Sequence, residues 1–156
     1  MFAVGDATLK ATSGDIGAVD NKLKVATNGN LNAVAKAEDA SVNLNTKGEV
    51  NVGAIEAAKD VNIEQDGHLI INDSIKAAND VVIAGEGSIL QVQDKAKVPA
   101  ILAGKDMTLE SAKGDIGEGN NYLTVEVGNE LSTATPNGDT YIKGIGDLDV
   151  ANAESG

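Results

Sequence analysis

The chain has 156 residues with 2% aromatics, no Cys, no Trp, and a formal net charge of -12 from twelve Lys, no Arg and twenty-four acidic residues. That charge excludes the basic face a nucleic-acid binder needs, and an anionic membrane surface would repel it. The absence of thiols excludes disulfide staples and thiolate metal sites, so stability must come from packing alone.

In chain order, apolar-polar-apolar triplets predict short strands at Leu23-Lys-Val25, Val42-Asn-Leu44, Val50-Asn-Val52 and Val61-Asn-Ile63. Leu123-Thr-Val125 and Leu148-Asp-Val150 continue the series, with Leu69-Ile-Ile71 and Val81-Val-Ile83 as close variants. Alternation with a period of two buries one face of each strand. Turn clusters separate them: Asn28-Gly-Asn30, Lys47-Gly-Glu49, Asp66-Gly-His68, Gly85-Glu-Gly87 and Asn137-Gly-Asp139. Little or no helix is expected, because Ala33 to Ala40 is short and lacks large apolar anchors. No apolar run approaches the ~20 residues of a membrane helix. Met1 to Gly5 lacks the basic head and long apolar stretch of a signal peptide.

Internal repetition organises these elements. Ile55-Glu-Ala-Ala-Lys-Asp-Val-Asn-Ile63 returns twenty residues later as Ile75-Lys-Ala-Ala-Asn-Asp-Val-Val-Ile83, and more loosely as Ile101-Leu-Ala-Gly-Lys-Asp-Met-Thr-Leu109. A second echo, displaced by one hundred residues, matches Gly14-Asp-Ile-Gly17 to Gly114-Asp-Ile-Gly117 and Leu23, Val25 and Leu31 to Leu123, Val125 and Leu131. Strands this short cannot sustain an ordinary sandwich, whereas stacked coils pair each strand with its counterparts above and below. The expected fold is therefore an all-β, right-handed parallel β-helix, a three-sided solenoid of about 20 residues per coil. Residues 1–156 are read as one β-helix segment, and Gly5-Asp-Ala-Thr-Leu9 parallels Lys105-Asp-Met-Thr-Leu109, so the chain starts in mid-repeat. It is accordingly expected to be part of a longer array, open-ended at both termini, with any export signal outside it. Between Ile89 and Ile101 the spacing grows, which predicts an outward loop holding Lys95, Lys97 and Pro99.

Gly14-Asp-Ile-Gly17, Leu23-Lys-Val25, Asn28-Gly-Asn-Leu31 and the recurring Ala-Ala-Lys/Asn-Asp-Val-x-Ile unit resemble the shaft repeats of filamentous-haemagglutinin-like exoproteins, including leukotoxin-family large repetitive filamentous adhesins. The resemblance implies two-partner secretion to a bacterial cell surface and a role in adhesion or biofilm. The amino-terminal secretion domain of that family, with its Asn-Pro-Asn-Gly and Asn-Pro-x-Gly motifs, is not in this sequence.

Candidate chemistry is sparse. His68, the one histidine, belongs to a turn, and no Ser lies in a Gly-x-Ser-x-Gly elbow. Asp60, Asp80 and Asp106 fall at equivalent repeat positions and should align along one edge. Such a ladder suits either Ca²⁺ or ordinary turn formation with side chains on local amides, and turn formation is preferred. A polysaccharide-active enzyme would need paired carboxylates at a fixed gap. Tyr122 and Tyr141 are the candidates for stacking on a host glycan or receptor, with isolated surface tyrosines as the simpler reading. No catalytic, cofactor-binding or metal residue is assigned, and the chain is read as a non-enzyme without cofactor. Its important residues are then the stacked core: Val61, Ile63, Leu69, Ile71, Val81, Ile83, Leu123 and Val125. The expected role is a structural shaft segment. The alternative is a self-assembling extracellular fibre whose copies meet end to end, because Met1 to Val4 and Ala151 to Gly156 show no polar cap.

Overall fold

The computed structural model describes residues 1–93 and 97–156, and among these every regular element is a β-strand. In chain order they are β1 (Phe2–Ala3), β2 (Ala7–Ala11), β3 (Leu23–Thr27), β4 (Asn30–Ala35), β5 (Val42–Thr46), β6 (Val50–Ala57), β7 (Val61–Gln65) and β8 (Leu69–Ala77). They continue as β9 (Val81–Gly85), β10 (Ile89–Gln91), β11 (Ile101–Ala103), β12 (Met107–Ser111), β13 (Leu123–Val127), β14 (Glu130–Thr135), β15 (Ile142–Gly144) and β16 (Asp149–Ser155). The chain visits two sheets in turn, one ordered β1-β3-β5-β7-β9-β12-β14-β16 and the other β15-β13-β11-β8-β6-β4-β2, with β10 also on β8. Strands pair in parallel throughout both sheets, giving a β-solenoid of about seven turns with roughly 21 residues per turn.

The three repeat copies stack in the register their sequences predict. Ile55, Ile75 and Ile101 lie over one another, as do Ala57, Ala77 and Ala103. Val61, Val81 and Met107 make the next column, and Ile63, Ile83 and Leu109 the one after. Side chains of matched size then fill each level of the tube without steps, which is how an aliphatic core reaches close packing without aromatics. All eight residues expected to matter most, from Val61 to Val125, are at most 2% exposed. The second sheet is not flat: register shifts between Val52 and Ala54, and between Leu31 and Ala33, mark bulges. A bulge bends its strand, so the second sheet bends along β4, β6 and β8.

The turn clusters of the sequence also form a column. Gly48, Gly67 and Gly87 sit one above the next, so close that a Cβ on Gly67 would collide with the Gly48 carbonyl and one on Gly87 with that of Gly67. At Gly67 and Gly87 glycine is required by the approach of the neighbouring backbone, and at Gly48 by a left-handed φ of 71°.

One expectation needs correction. Pro99 is buried rather than carried outward, because the chain has already turned back: the Ala100 amide donates to the Thr124 carbonyl at 2.9 Å. Lys97 is exposed, as expected, and has a φ of 70°; Lys95 lies outside the described residues. The hundred-residue echo, moreover, does not mark one place in the coil. Leu23 belongs to the sheet of β1, whereas Leu123 belongs to the sheet of β2. One hundred residues is not a whole number of turns, so the same local sequence recurs rotated onto another side.

Candidate functional site

Each aspartate of the predicted ladder reaches the coil above. Asp60 Oδ1 accepts the Asp80 amide at 3.2 Å, Asp80 Oδ1 accepts the Asp106 amide at 3.2 Å, and Asp106 Oδ1 accepts the Glu130 amide at 3.2 Å. Asn129 Nδ2 also donates to Asp106 Oδ1 at 2.6 Å. The expected bonds to local amides are not what forms: the amides these carboxylates accept belong to the next coil, not to the same turn. Among the described residues no three His, Asp or Glu side chains converge as a metal-ion site.

A parallel column runs through the opposite turn. The Ser88 amide donates to His68 Nδ1 at 3.0 Å, the Asp115 amide to Ser88 Oγ at 3.0 Å, and the Asp139 amide to Asp115 Oδ1 at 2.9 Å. His68 is exposed at its turn and meets Ser88 through the main chain. Sequence reasoning stopped at triplets and missed a further inward position. Thr27, Thr46, Gln65, Ser111 and Thr135 end their strands buried and polar. Several reach turn carbonyls: Thr27 Oγ1 donates to Gly5, Gln65 Nε2 to Gly87 at 2.8 Å and Ser111 Oγ to Gly87 at 2.9 Å. Buried donors so paired avoid the desolvation penalty, although Gln65 Oε1 is buried without a hydrogen-bond partner. For the first four, their signal in the sequence was a Thr, Gln or Ser two places after the second apolar residue; Thr135 instead follows Thr133.

The two Gly-Asp-Ile-Gly units turn out to be the same device used twice. In each, the Asp carboxylate accepts an amide from the next coil, Asp15 from Ser41 at 2.7 Å and Asp115 from Asp139 at 2.9 Å. The Ile pairs as a single bridge, with Ile16 opposite Val42 and Ile116 opposite Thr140. The next residue of the upper coil donates to that Ile carbonyl, Asn43 to Ile16 and Tyr141 to Ile116, both at 2.7 Å. The following Gly takes a left-handed φ, 71° at Gly17 and 75° at Gly117, and a Cβ there would strike the carbonyl of Asn43 or Tyr141. Five residues then leave the wall and return. Each excursion is closed by reciprocal main-chain bonds, Ala18 with Asn21 at 3.2 Å and Glu118 with Asn121 at 3.2 and 3.0 Å. The strand resumes at Leu23 or Leu123 with the core column unbroken.

Excursion tips fold back on the coils above. Lys22 Nζ pairs with Glu64 at 2.8 Å, and Asn45 Nδ2 donates to the other Glu64 oxygen at 3.1 Å. These contacts, Lys22 foremost, hold the Glu64 carboxyl below its ordinary range. In the second copy the Lys22 position is Tyr122, whose ring meets that of Tyr141 with centroids 5.9 Å apart and planes inclined by 47°. The tyrosines are therefore not isolated: consecutive coils bring them together. Tyr141 donates its hydroxyl to Asp139 Oδ2 at 3.2 Å, and that carboxylate raises the phenol pKa. Beneath them, Asn121 Nδ2 donates to the Gln91 carbonyl at 2.6 Å, and buried Gln91 Oε1 accepts from the Thr124 amide at 2.9 Å and hydroxyl at 2.8 Å. Apart from Met1, Phe2 and Val4 at one end and Val150 in β16, the exposed large apolar residues are Val19, Val92, Val98 and Tyr122. Val19 and Tyr122 lie in the two excursions. The chain matches no protein-family model, no curated protein and no solved structure.

Proposed function

We propose that this chain is a structural shaft segment of a secreted, bacterial cell-surface filamentous adhesin, a rigid spacer that holds an adhesive or toxic tip away from the cell. The observation that supports it is the continuity of the aliphatic columns through successive coils, with repeats in register. Each coil buries its apolar face only against its neighbours, so such an array gains stiffness and length by adding coils. The net charge of -12 keeps a rod of this kind solvated and opposes lateral clumping. The test is negative-stain electron microscopy of the parent protein with its flanking sequence. A rod lengthening by about 4.8 Å per coil supports the reading; a compact particle, or flanks without further repeats and a secretion domain, overturns it.

A second reading, a self-assembling extracellular fibre, draws on the terminal strands. β1 and β2 at one end and β15 and β16 at the other each have a single partner strand, and Phe2 is 67% exposed. Open edges of this kind template further strands, from added coils or from a second copy. Filaments that form with rising concentration of the isolated chain would favour the fibre; a monomer at all concentrations would favour the shaft.

A further inference from the structure

We propose that the Tyr122–Tyr141 surface is a carbohydrate-binding site for neutral glycans, with a pyranose ring stacking on the exposed Tyr122 face. The fold has no use for aromatic rings, since its core is aliphatic throughout. The same excursion device is complete in its first copy with Lys22 and Asn43 at these positions, held by Glu64 and by the Gly17 carbonyl. Local structure therefore does not require the rings, yet the only two tyrosines of the chain meet here.

The geometry suits a sugar. Tyr122 is 45% exposed while Tyr141 is half-buried beside it, so one ring is offered and the other backs it. Aromatic faces carry partial negative charge, which attracts the polarised C–H groups on a pyranose face. The hydroxyls around a sugar ring need acceptors and amides; exposed Asp139 meets Tyr141 directly, and Glu118 and Asn120 are exposed residues of the same excursion as Tyr122. The bonds from Asn121 to Gln91 and from Tyr141 to Asp139 fix this surface before any ligand arrives, which lowers the ordering cost of binding. Nearby carboxylates and the overall negative charge disfavour uronic or sialylated glycans. Rings already in contact leave no gap between them for a cation to be caged.

With no Trp in the chain and both tyrosines in the site, intrinsic tyrosine emission reports on it directly. The protein would be titrated with cello-, manno- and galacto-oligosaccharides, and run in native gels containing neutral polysaccharide or polygalacturonate. Expected are a saturable emission change and retardation with at least one neutral glycan. Tyr122→Lys, which installs the residue of the first copy, should weaken binding about tenfold or more with an unmoved melting temperature, and Tyr122→Phe should retain it. The proposal is overturned by no response to any neutral glycan, by Tyr122→Lys binding like the parent, or by a response confined to polygalacturonate or tetramethylammonium. The shaft reading would survive any of these, because it rests on the core columns.

Discussion

Ile63 shows what a single residue contributes. It lies between Leu44 and Ile83 in its column and is 1% exposed. Ile63→Asp should therefore cost at least about 4 kcal/mol, from lost packing together with a buried unpaired carboxylate. Because coils couple only to their neighbours, the damage should spread along the stack, so a chemical-denaturation curve should lose its midpoint and its steepness together. An unchanged midpoint would mean that Ile63 is not inward. Its column was legible from the triplet pattern, since Val61 and Ile63 flank the polar Asn62 as Val42 and Leu44 flank Asn43. Gln65 was not: a polar residue in an inward place reads as surface until the Gly87 carbonyl above it is known.

The excursion is the unit that the strand pattern alone could not define. In the coil above the first copy a single residue, Asn43, bridges the interval from Val42 to Leu44. Deleting 18–22 would leave Ile16-Gly17-Leu23, the same spacing. The shortened chain should thus fold with its core columns intact. Its stability should change by no more than about 1 kcal/mol, because the loss is an exposed Lys22–Glu64 pair and a closed loop. Circular dichroism and a thermal melt would check this, and loss of the β signal would refute the insertion view. The repeated Gly-Asp-Ile-Gly motif was visible in the sequence, but its purpose was not. A motif that recurs on two different sides of the tube cannot be understood as a coil position.

Charge acts on the molecule as a whole by tying coils together. Lys22–Glu64, Lys36–Glu56, Lys47–Asp66 and Lys113–Glu86 all join residues of different coils, at 2.6 to 3.2 Å. Lys47, with the Gly48 amide, holds the Asp66 carboxyl below its ordinary range, as Lys22 and Asn45 do for Glu64. A carboxylate with a depressed folded-state pKa stabilises at pH values above its unfolded pKa, and that stability is lost as pH falls through the folded pKa. The melting temperature should accordingly fall on acidification below about pH 4. Asp66→Asn combined with Glu64→Gln should flatten that decline modestly, since both groups are largely exposed. A decline of equal slope in the double variant would show that these two carboxylates do not cause it.

Sequence alone determined the strands, their parallel stacking and the identity of the inward aliphatics, because those follow from periods of two and about 20 residues that any reader can count. Spacing could suggest which turn residues share an edge, but tertiary structure decided which atoms each one meets. Asp60 capping Asp80, Gly67 pressed on Gly48, and Tyr122 meeting Tyr141 are contacts across coils. Their partners lie about one turn away in the chain, at distances that vary with each loop and excursion. A period that drifts in this way fixes the order of coils but not their rotational phase, and phase decides which side chains share a surface.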